Sequence, residues 1–306
     1  MDNMNFRPLE PSDYPKLKHF FERQPYRLSI YSLLSLIVWS NCIFKTHYAV
    51  DGDSLILGNE SESRPDDRHL ILPLSSSEVF TPERLYDLAI DLGYRSYRFV
   101  PGDYLETATP RKTEPWFEIT EQPEYEDYIY LTEDLLRLRG NRYARKRNLI
   151  HQFTRDYLFP GRVEVTAISM DCVDECLAFL ERWCKQRNCD VGSDENLACE
   201  KQAVILALRH LDGMEGRGLV VRVDGTVCAF AIASRLNEDM GVLNFEKAFS
   251  DIRGLYQFLD NECAKRLFAD CRWINKESDM NVSELAQSKK SYHPVMRVKS
   301  YRLDLR

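Results

Sequence analysis

The sequence predicts an α+β protein in which one order of strands and helices occurs twice. Each half contains the order β, α, α, β, β, β, α, β; a further strand follows it in the first half, and in the second half a helical stretch precedes it and a helix and a strand follow it. An Asp-Gly dipeptide, which favours a tight hairpin, stands in the same place in both orders, at residues 51–52 and 224–225. The chain has 306 residues, 44% of them hydrophobic, so it can bury a substantial core and is long enough for two domains. We therefore expect one domain at 1–131 and a second at 132–306.

The elements of the first half follow from apolar periodicity and from turn residues. The pattern predicts a strand at 6–9, helices at 11–23 and 29–40, strands at 44–50, 54–58 and 69–74, a helix at 81–93, and strands at 94–100 and 122–131. Pro82 after Thr81 is typical of a helix start, and Gly93 is typical of a helix end. We expect the hairpin at 51–52 to have the same turn type as the hairpin at 224–225.

The second half gives the clearest local patterns. It predicts a helical stretch at 132–159 broken near Gly140, a strand at 162–168, helices at 171–187 and 194–211, strands at 219–223, 227–234 and 241–249, a helix at 255–268, a strand at 271–275, a helix at 282–290 and a strand at 295–303. The strand at 241–249 leads into its helix through a short connection that contains Gly254. A helix start of this kind leaves free backbone N–H groups, so we expect it to suit an anion or an oxyanion.

The net charge, the lengths of the apolar stretches and the cysteine spacing exclude some classes of protein. A net charge of -7 and a pI near 5.5 argue against a protein that coats nucleic acid with its whole surface, although a local basic patch remains compatible. The most apolar stretch, 28–39, is too short to span a bilayer, and the first residues show no apolar leader. There is no Cys-x-x-Cys pair and no companion His at ligand spacing, so no metal is expected. We predict a cytoplasmic protein without a transmembrane segment.

A cluster of basic residues lies in the helical stretch after residue 132. Six of the eleven residues from 137 to 147 are Arg or Lys, in a chain that is acidic elsewhere. On one helix Arg142, Arg145 and Lys146 would share a face, and with Arg147 they would bind the phosphates of a donor or acceptor. The alternative is a solvated helix whose charges pair with the acidic run at 114–134. Pairing of that kind would leave little net positive potential to attract an anionic ligand.

Three segments of the second half carry a family resemblance. They are Leu138-x-Gly140 with Tyr143, Lys146-Arg147-Asn148 and Phe153; Phe245-Glu246-Lys247-Ala248 with Gly254-Leu255-Tyr256; and Ile274-Asn275-Lys276-Glu277-Ser278-Asp279 with Ser288-Lys289-Lys290-Ser291-Tyr292-His293-Pro294 and Lys299-x-Tyr301. Together they resemble a family of mostly uncharacterised bacterial proteins related to the C-terminal domain of phosphatidylglycerol lysyltransferase. The matching residues lie between 138 and 301, and the first half fits only by its order of elements.

The order of elements is similar to the GNAT-type acyltransferase fold, and two copies in series resemble the Fem-type aminoacyl transferases. In characterised relatives such a protein moves an aminoacyl group from aminoacyl-tRNA to a lipid or peptide acceptor. The resemblance therefore implies tRNA as a partner, a small-molecule, peptide or lipid acceptor, and no tightly bound cofactor. The chain departs from the family pattern at Lys276, where Arg is usual, and at Met280 or Asn281, where Gly is usual. Substrate contacts near this loop are expected to differ accordingly.

Acyl transfer needs a base for the nucleophile, donors for the oxyanion and an acid for the leaving oxygen. Glu246, near the end of the third strand, is the candidate base, and Lys289 and Tyr292 are candidates to protonate the leaving group or to stabilise charge. Asn275 and Glu277 flank the end of a core strand, where loop residues often line a site. The alternatives are a surface ion pair of Glu246 with Lys247, a structural role for Tyr292, and capping of the following helix by Asn275 and Glu277.

Two other functions stay open. An acetyl-CoA-dependent N-acyltransferase usually carries paired glycines before the crossover helix, whereas this chain has Arg253 and Gly254 between the bulky residues Ile252 and Tyr256. Bulk at that place hinders close backbone approach to a pyrophosphate, which disfavours acyl-CoA as the donor. The other alternative is a non-catalytic protein that binds an anionic ligand and has a regulatory role. No Gly-x-Ser-x-Gly, P-loop or zinc motif supports a hydrolase, a kinase or a metalloenzyme.

Overall fold

Two seven-stranded mixed sheets hold all the strands in the part of the chain that the structure describes. The structure is a computed structural model, and it describes residues 4–40, 44–61, 66–75, 77, 79–187 and 195–306. In chain order the strands are β1 (Arg7–Pro8), β2 (Lys45–Asp51), β3 (Ser54–Glu60), β4 (Arg68–Ser75), β5 (Ser96–Pro101), β6 (Phe117–Glu121), β7 (Asp127–Leu131), β8 (Val163–Ala167), β9 (Arg217–Val223), β10 (Thr226–Arg235), β11 (Met240–Ala248), β12 (Trp273–Asn275), β13 (Met296–Val298) and β14 (Ser300–Leu305). The α-helices are α1 (Tyr14–Leu17), α2 (Leu33–Trp39), α3 (Pro82–Leu92), α4 (Gly102–Ala108), α5 (Pro110–Thr113), α6 (Thr132–Arg137), α7 (Ala144–Phe153), α8 (Val173–Arg187), α9 (Glu195–Arg209), α10 (Leu255–Arg266) and α11 (Ser283–Lys290). This architecture confirms the predicted α+β class.

The two sheets have the same strand order, and each takes one strand from the other half of the chain. The first sheet runs β1-β2-β3-β4-β5-β14-β6, and the second runs β8-β9-β10-β11-β12-β7-β13. In both sheets the first four strands are antiparallel, and the fourth and fifth are parallel. The sixth place is taken by β14 in the first sheet and by β7 in the second, antiparallel to both neighbours. Residues 127–131 therefore belong to the second sheet, and residues 300–305 return to the first; the division into two domains at residue 131 stays a prediction.

The two Asp-Gly hairpins both form, but with different turns. In the second sheet Asp224 and Gly225 have φ values of 51° and 75°, and two positive angles define the turn that Asp-Gly favours. In the first sheet Asp51 still pairs with Ser54, so the turn is the next dipeptide, in which only the glycine has a positive φ, of 60°. The expectation of one turn type in both hairpins was wrong, because the β2–β3 ladder extends one residue further than predicted.

Several helices are shorter or more divided than the periodicity predicts. The helix expected at 29–40 begins after Ser32, whose hydroxyl accepts a hydrogen bond from the Ser35 amide as an N-terminal cap. The stretch expected at 132–159 divides into α6, a 3-10 turn, α7 and a π-helical turn at Thr154–Leu158. The break falls where Leu138 and Gly140 both have positive φ, a conformation that a right-handed helix excludes. Helices α4 and α5 and strand β6 form where no element was predicted, and the last predicted strand is divided between β13 and β14.

Helix α2 joins the two halves through buried hydrogen bonds. The side chains at 33–38 are buried. The Ser32 hydroxyl oxygen lies 2.7 Å from that of Ser234 on β10, and the Ser35 hydroxyl accepts from Asn244 Nδ2 on β11 at 2.8 Å. The apolar stretch that the helix contains therefore packs inside the protein. Nowhere in the described ranges does a helix combine the length and the apolarity that crossing a membrane requires.

Candidate active site

The second sheet opens between β11 and β12. The two strands pair in parallel only from Met240 to Val242 on β11, and the chain leaves β12 after Asn275 for a loop. Beyond the paired segment, β11 contains a β-bulge against β10 and then continues to Ala248. Parallel strands that part in this way leave a gap in the middle of the sheet. Glu246 lies on β11 beyond the paired segment, and Lys276 directly follows β12.

Lys276 joins two carboxylates at this opening. Its Nζ lies 2.7 Å from Asp260 Oδ1 on α10 and 3.3 Å from Glu246 Oε2 on β11. The side chains of Asp260 and Lys276 are 4% and 10% exposed, and that of Glu246 is 18% exposed. The Lys276 amide donates to the Tyr128 carbonyl on β7, so the exchanged strand holds the backbone from which the lysine extends. Three charged side chains are thus clustered at the opening, and Glu246 is the most accessible of them.

The environment sets the protonation of this cluster. Burial, together with the negative charge of Asp260, raises the pKa of Glu246 to about 7 against the opposing effect of Lys276. Burial alone would lower the pKa of Lys276, but the two carboxylates outweigh it and hold that pKa above its ordinary value. The alternative partner of Glu246, Lys247, instead pairs with Glu200 at 2.5 Å. Glu246 is therefore able to exchange a proton near neutral pH, as a general base must.

Tyr292 and Lys146 complete the cluster on the side of α7. Lys146 Nζ lies 3.6 Å from the centroid of the Tyr292 ring, and Lys276 Nζ lies 5.0 Å from the same centroid. Burial lowers the pKa of Lys146 to about 8. Burial and the carboxylates of Asp260 and Glu246 hold the pKa of Tyr292 well above its ordinary value. Lys146 can therefore exchange a proton near neutral pH, whereas Tyr292 stays protonated.

The basic cluster does not form a single helical face. Helix α7 begins after Arg142, which lies in a 3-10 turn and donates to Asp134 at 3.0 Å. Arg147 donates to two backbone carbonyls of the break before the helix, Lys146 is buried, and Arg145 is exposed. The prediction that Arg142, Arg145 and Lys146 share a face was wrong, because the helix starts too late to include the first of them. The alternative of pairing with the acidic run applies to Arg142.

Lys289 anchors the loop that follows β12. Its Nζ donates to the carbonyl oxygens of Lys276, Glu277 and Ser278 at 2.5, 3.1 and 2.5 Å. An ammonium group has three N–H donors, so these bonds use all of them. Burial lowers the pKa of Lys289 to about 8, although the charge of Glu277 opposes this. The geometry makes Lys289 a positioning residue for Lys276, whereas the sequence suggested contact with a leaving group.

Asn275 and Glu277 connect this loop with the first half of the chain. Asn275 Nδ2 donates to Asp127 Oδ2 and to the Arg27 carbonyl, both at 2.8 Å, and its Oδ1 accepts from the Glu277 amide at 2.6 Å. Asn275 has no exposed surface, so it fixes the backbone and is closed to a substrate. Glu277 is partly exposed, and burial together with the charge of Asp127 raises its pKa to about 8. Of these two predicted lining residues, Glu277 is the one that a ligand can reach.

Gly254 has a packing role. It precedes α10 with a φ of 85°, and a Cβ at this position would lie 2.2 Å from the Leu149 carbonyl oxygen and 3.1 Å from Phe153 Cβ on α7. The close approach that glycine permits is therefore to the chain's own helix. The expectation that the N–H groups at this helix start suit an anion stays a prediction.

Buried polar atoms without a partner surround the opening. Asp260 Oδ2, Asn244 Oδ1 and the indole Nε1 of Trp183, whose ring lies 4.3 Å from Lys247 Nζ, have no hydrogen-bond partner in the protein. Buried polar atoms nearly always have one, and of these three only Asp260 Oδ2 belongs to a side chain that contacts Lys276, so it is the candidate for contact with a ligand. The site residues predicted from the sequence include neither Asp260 nor Lys276. For Asp260 the available signal was the polar run at 260–262 directly after the apolar residues Phe258 and Leu259.

Two surface cavities lie away from this cluster. One, of about 500 Å³, is lined by Glu164, Glu175 and Arg222 among others, and the second, of about 410 Å³, by Arg217 and Arg235 among others. Neither is lined by a residue of the cluster. Within the described ranges, no group of three or more His, Cys, Asp or Glu side chains is placed to hold a metal ion.

Solved structures with the same architecture define the class of protein. A conserved protein of unknown function from Bacteroides thetaiotaomicron is 27% identical with a TM-score of 0.87, over 99% of this chain and 100% of that chain. The C-terminal domain (DUF2156) assigned to a lysylphosphatidylglycerol synthetase of Agrobacterium fabrum is 14% identical with a TM-score of 0.67, over 95% and 91% of the two chains. A tandem GNAT protein from the clavulanic acid biosynthesis pathway is 10% identical with a TM-score of 0.50, over 99% and 98%. The fold is that of two tandem GNAT-like domains.

The chain belongs to the family of phosphatidylglycerol lysyltransferase C-terminal domains, whose model matches residues 104–303. The match contains the whole Glu246 cluster and confirms the resemblance carried by the second half of the sequence. It leaves out most of the first half. The sequence matched none of the curated proteins with which it was compared.

Proposed function

We propose that the protein transfers an aminoacyl group from aminoacyl-tRNA to an amine or hydroxyl acceptor. The observation that carries the proposal is the buried Glu246 carboxyl beside Lys276, with its pKa raised to about 7 at the opening of the second sheet. A base poised near neutral pH suits the removal of a proton from an attacking amine or hydroxyl. Membership of a lysyltransferase family supports the aminoacyl donor.

Proton transfer and charge stabilisation are assigned to neighbouring side chains. Glu246 takes the proton from the acceptor as the acceptor attacks the ester carbonyl carbon of aminoacyl-tRNA. Negative charge then develops on the carbonyl oxygen, and the Lys276 ammonium beside the base stabilises it. As the tetrahedral intermediate collapses, the ribose oxygen leaves with a proton from Lys146, whose pKa, lowered to about 8, permits donation. Asp260 holds Lys276 in place throughout.

Exposed basic residues near α7 support a contact with the tRNA backbone. Arg139 and Arg145 are exposed, and Arg145 directly precedes the buried Lys146 in the chain. Cationic side chains that neutralise backbone phosphates release the counterions condensed on the nucleic acid, so such binding weakens as the salt concentration rises. We expect tRNA affinity to fall as salt rises, and Arg145→Ala to weaken binding without changing the chemistry at Glu246.

The test is a single-turnover transfer assay with mixed aminoacyl-tRNA carrying labelled amino acids. The acceptors are phosphatidylglycerol vesicles and, separately, a mixture of soluble amines and peptides. Glu246→Gln keeps the shape of the side chain but cannot take the proton, so we expect the transfer rate to fall by about 10²-fold or more. The affinity for aminoacyl-tRNA should stay unchanged.

Glu238→Gln, an exposed change outside the cluster, is the matched control and should transfer at the wild-type rate. Equal transfer rates for Glu246→Gln and the wild type would show that Glu246 is not the general base. Absence of transfer in the wild type with every acceptor, although aminoacyl-tRNA binds, would favour a non-catalytic binding protein.

Acyl-CoA is the alternative donor, and the same assay includes it with acetyl-CoA in place of tRNA. The packing of Leu149 and Phe153 against Gly254 argues against this donor, because the glycine is already in close contact with protein. In either case the activated acyl donor is a co-substrate and not a tightly bound cofactor. Transfer from acetyl-CoA alone would replace the aminoacyl proposal.

A further inference from the structure

The first sheet holds a buried row of polar side chains that the proposed reaction does not use. Thr46 on β2 donates to Asn59 Oδ1 on β3 at 2.8 Å, and Asn59 Nδ2 lies 3.1 Å from His69 Nε2 on β4. His69 has no exposed surface, and its other ring nitrogen, Nδ1, has no partner. On the neighbouring strand β5, the Nε of Arg98 is also buried without a partner. Two unsatisfied nitrogens thus occur on adjacent strands of one sheet.

The hydrogen-bond row defines what these nitrogens can bind. Because Asn59 Oδ1 accepts from Thr46, the amide group of Asn59 is left to donate to His69 Nε2. In the neutral ring the proton then sits on Nδ1. Burial and the positive charges of Arg98 and Arg302 lower the pKa of His69 to about 3, so the ring is neutral under ordinary conditions. His69 Nδ1–H and Arg98 Nε–H are therefore both donors that lack an acceptor.

Aromatic rings and an unusual backbone conformation surround the two donors. The ring centroids of Phe44 and Phe99 lie 4.9 and 5.7 Å from that of His69, and the Tyr125 centroid lies 4.8 Å from that of Phe99. Phe99 has a φ of 55°, a conformation that bulky residues rarely adopt and that is concentrated at ligand sites. The Arg98 side chain is 20% exposed, so this end of the row borders solvent.

We propose that this row is a second ligand site, which binds the carboxylate of a small organic acid. The carboxylate oxygens accept from His69 Nδ1 and Arg98 Nε, and the remainder of the acid lies against Phe44 and Tyr125. A carboxylate suits the site better than a phosphate, because another nitrogen of Arg98 already donates to Asp67 at 2.5 Å and little positive charge is left over. The family match begins at residue 104, so both donors, His69 and Arg98, lie outside the matched segment, and the site is independent of the proposed transfer reaction.

The first test is a titration of the full chain, with ¹⁵N-labelled histidine, at neutral pH with acetate, benzoate and inorganic phosphate. We expect the ring of His69 to show the Nδ1–H tautomer before any addition, and its resonances to move with acetate or benzoate but not with phosphate. The midpoint of thermal unfolding should rise with the same acid, because the ligand binds only the folded state. An Nε2–H tautomer, or a His69 signal that no probe moves, overturns the proposal and leaves an internal hydrogen-bond network.

Variants separate the two donors. His69→Phe keeps the ring volume and removes one donor, and Arg98→Met removes the other; each should weaken acid binding at least about tenfold. His210→Phe and Arg95→Met, at exposed positions, are the matched controls and should bind as the wild type does. Unchanged binding by both site variants also overturns the proposal. The wild-type titration stands by itself if His69→Phe does not fold, and a failure of aminoacyl transfer would not affect either result.

Discussion

The two sheets fill the same opening in different ways. Between β4 and β5 of the first sheet, the Tyr31 hydroxyl donates to the Phe99 carbonyl at 3.1 Å and also contacts the backbone of Leu72. At the corresponding place in the second sheet, Lys276 and its two carboxylates lie beside the point where β11 and β12 part. One opening is closed by a neutral phenol, and the other holds three charged side chains.

This difference separates what the fold needs from what a site needs. A buried hydroxyl with a hydrogen-bond partner costs little, whereas the desolvation of buried charges can exceed their mutual attraction. The first sheet shows that the opening itself can be filled by a neutral side chain, although Arg98 on β5 pairs with Asp67 directly before β4. The cluster at Glu246 is therefore better explained by chemistry than by stability, in line with the rule that local exceptions concentrate at functional sites.

The helices α3 and α10, which follow the openings' strands β4 and β11, also differ in what the residue at the helix start does. Helix α3 begins at Thr81, whose hydroxyl accepts from the Arg84 amide at 3.3 Å and caps the helix. Helix α10 begins at Gly254, which has no side chain and permits contact with α7. Since α7 also carries Lys146, the contact at Gly254 helps to bring that lysine to Tyr292. Thr81 thus stabilises only the start of α3, whereas Gly254 also helps to position a residue of the candidate site.

The largest effect on stability is expected from Lys276→Met, which removes the positive charge between Glu246 and Asp260. Breaking a buried ion pair costs about 3–5 kcal/mol, because a carboxylate is left without a partner. Urea unfolding at pH 7.5 should show a loss of that size, and the loss should shrink at pH 5, where Glu246 is protonated. Lys290→Met, at an exposed position, is the control. If the Lys276→Met protein were as stable as the wild type at both pH values, Lys276 would not stabilise the carboxylates of Glu246 and Asp260.

A somewhat smaller loss is expected from Gly254→Ala. The positive φ and the 2.2 Å distance from a Cβ to the Leu149 carbonyl oxygen should together cost about 2–4 kcal/mol. Thr81→Ala, at the start of the corresponding helix, should cost about 1 kcal/mol, as the loss of a helix cap does. Urea unfolding measures both. Similar losses at the two positions would mean that the contact between α7 and α10 carries no special strain.

Glu246→Gln should stabilise the protein at high pH. The folded-state pKa of Glu246 is raised from 4.5 to about 7, so the wild type loses stability as pH rises through that window. The amide has no such loss, and we expect a gain of about 3 kcal/mol over the wild type at pH 8 that disappears near pH 4.5. Urea unfolding of the two proteins between pH 4.5 and pH 8 measures this difference in stability. A variant less stable than the wild type at pH 8 would mean that attraction to Lys276 outweighs burial.

The sequence allowed the architecture and part of the site to be predicted. The repeated order and the second Asp-Gly hairpin depend on local patterns, so the strands β9, β10 and β11 lie close to where they were expected. The exchange of β7 and β14 depends on which strands of the other half each of them pairs with, and no local pattern contains that information. Glu246 was predicted from its place near the end of a strand. Asp260 was missed because a polar run in a helix reads as an exposed face, and its partner Lys276 lies on another element.

The smallest effect is expected from Tyr31→Phe, at the first opening. The change removes one hydroxyl and its hydrogen bond to the Phe99 carbonyl and leaves the ring in place, so it should cost about 1 kcal/mol in urea unfolding. Aminoacyl transfer should continue at the wild-type rate, because this opening contains no group that the reaction uses. Lys276→Met, in contrast, should lower both stability and transfer. If Tyr31→Phe abolished transfer in a folded protein, the first sheet would take part in the reaction and the division between scaffold and site would fail.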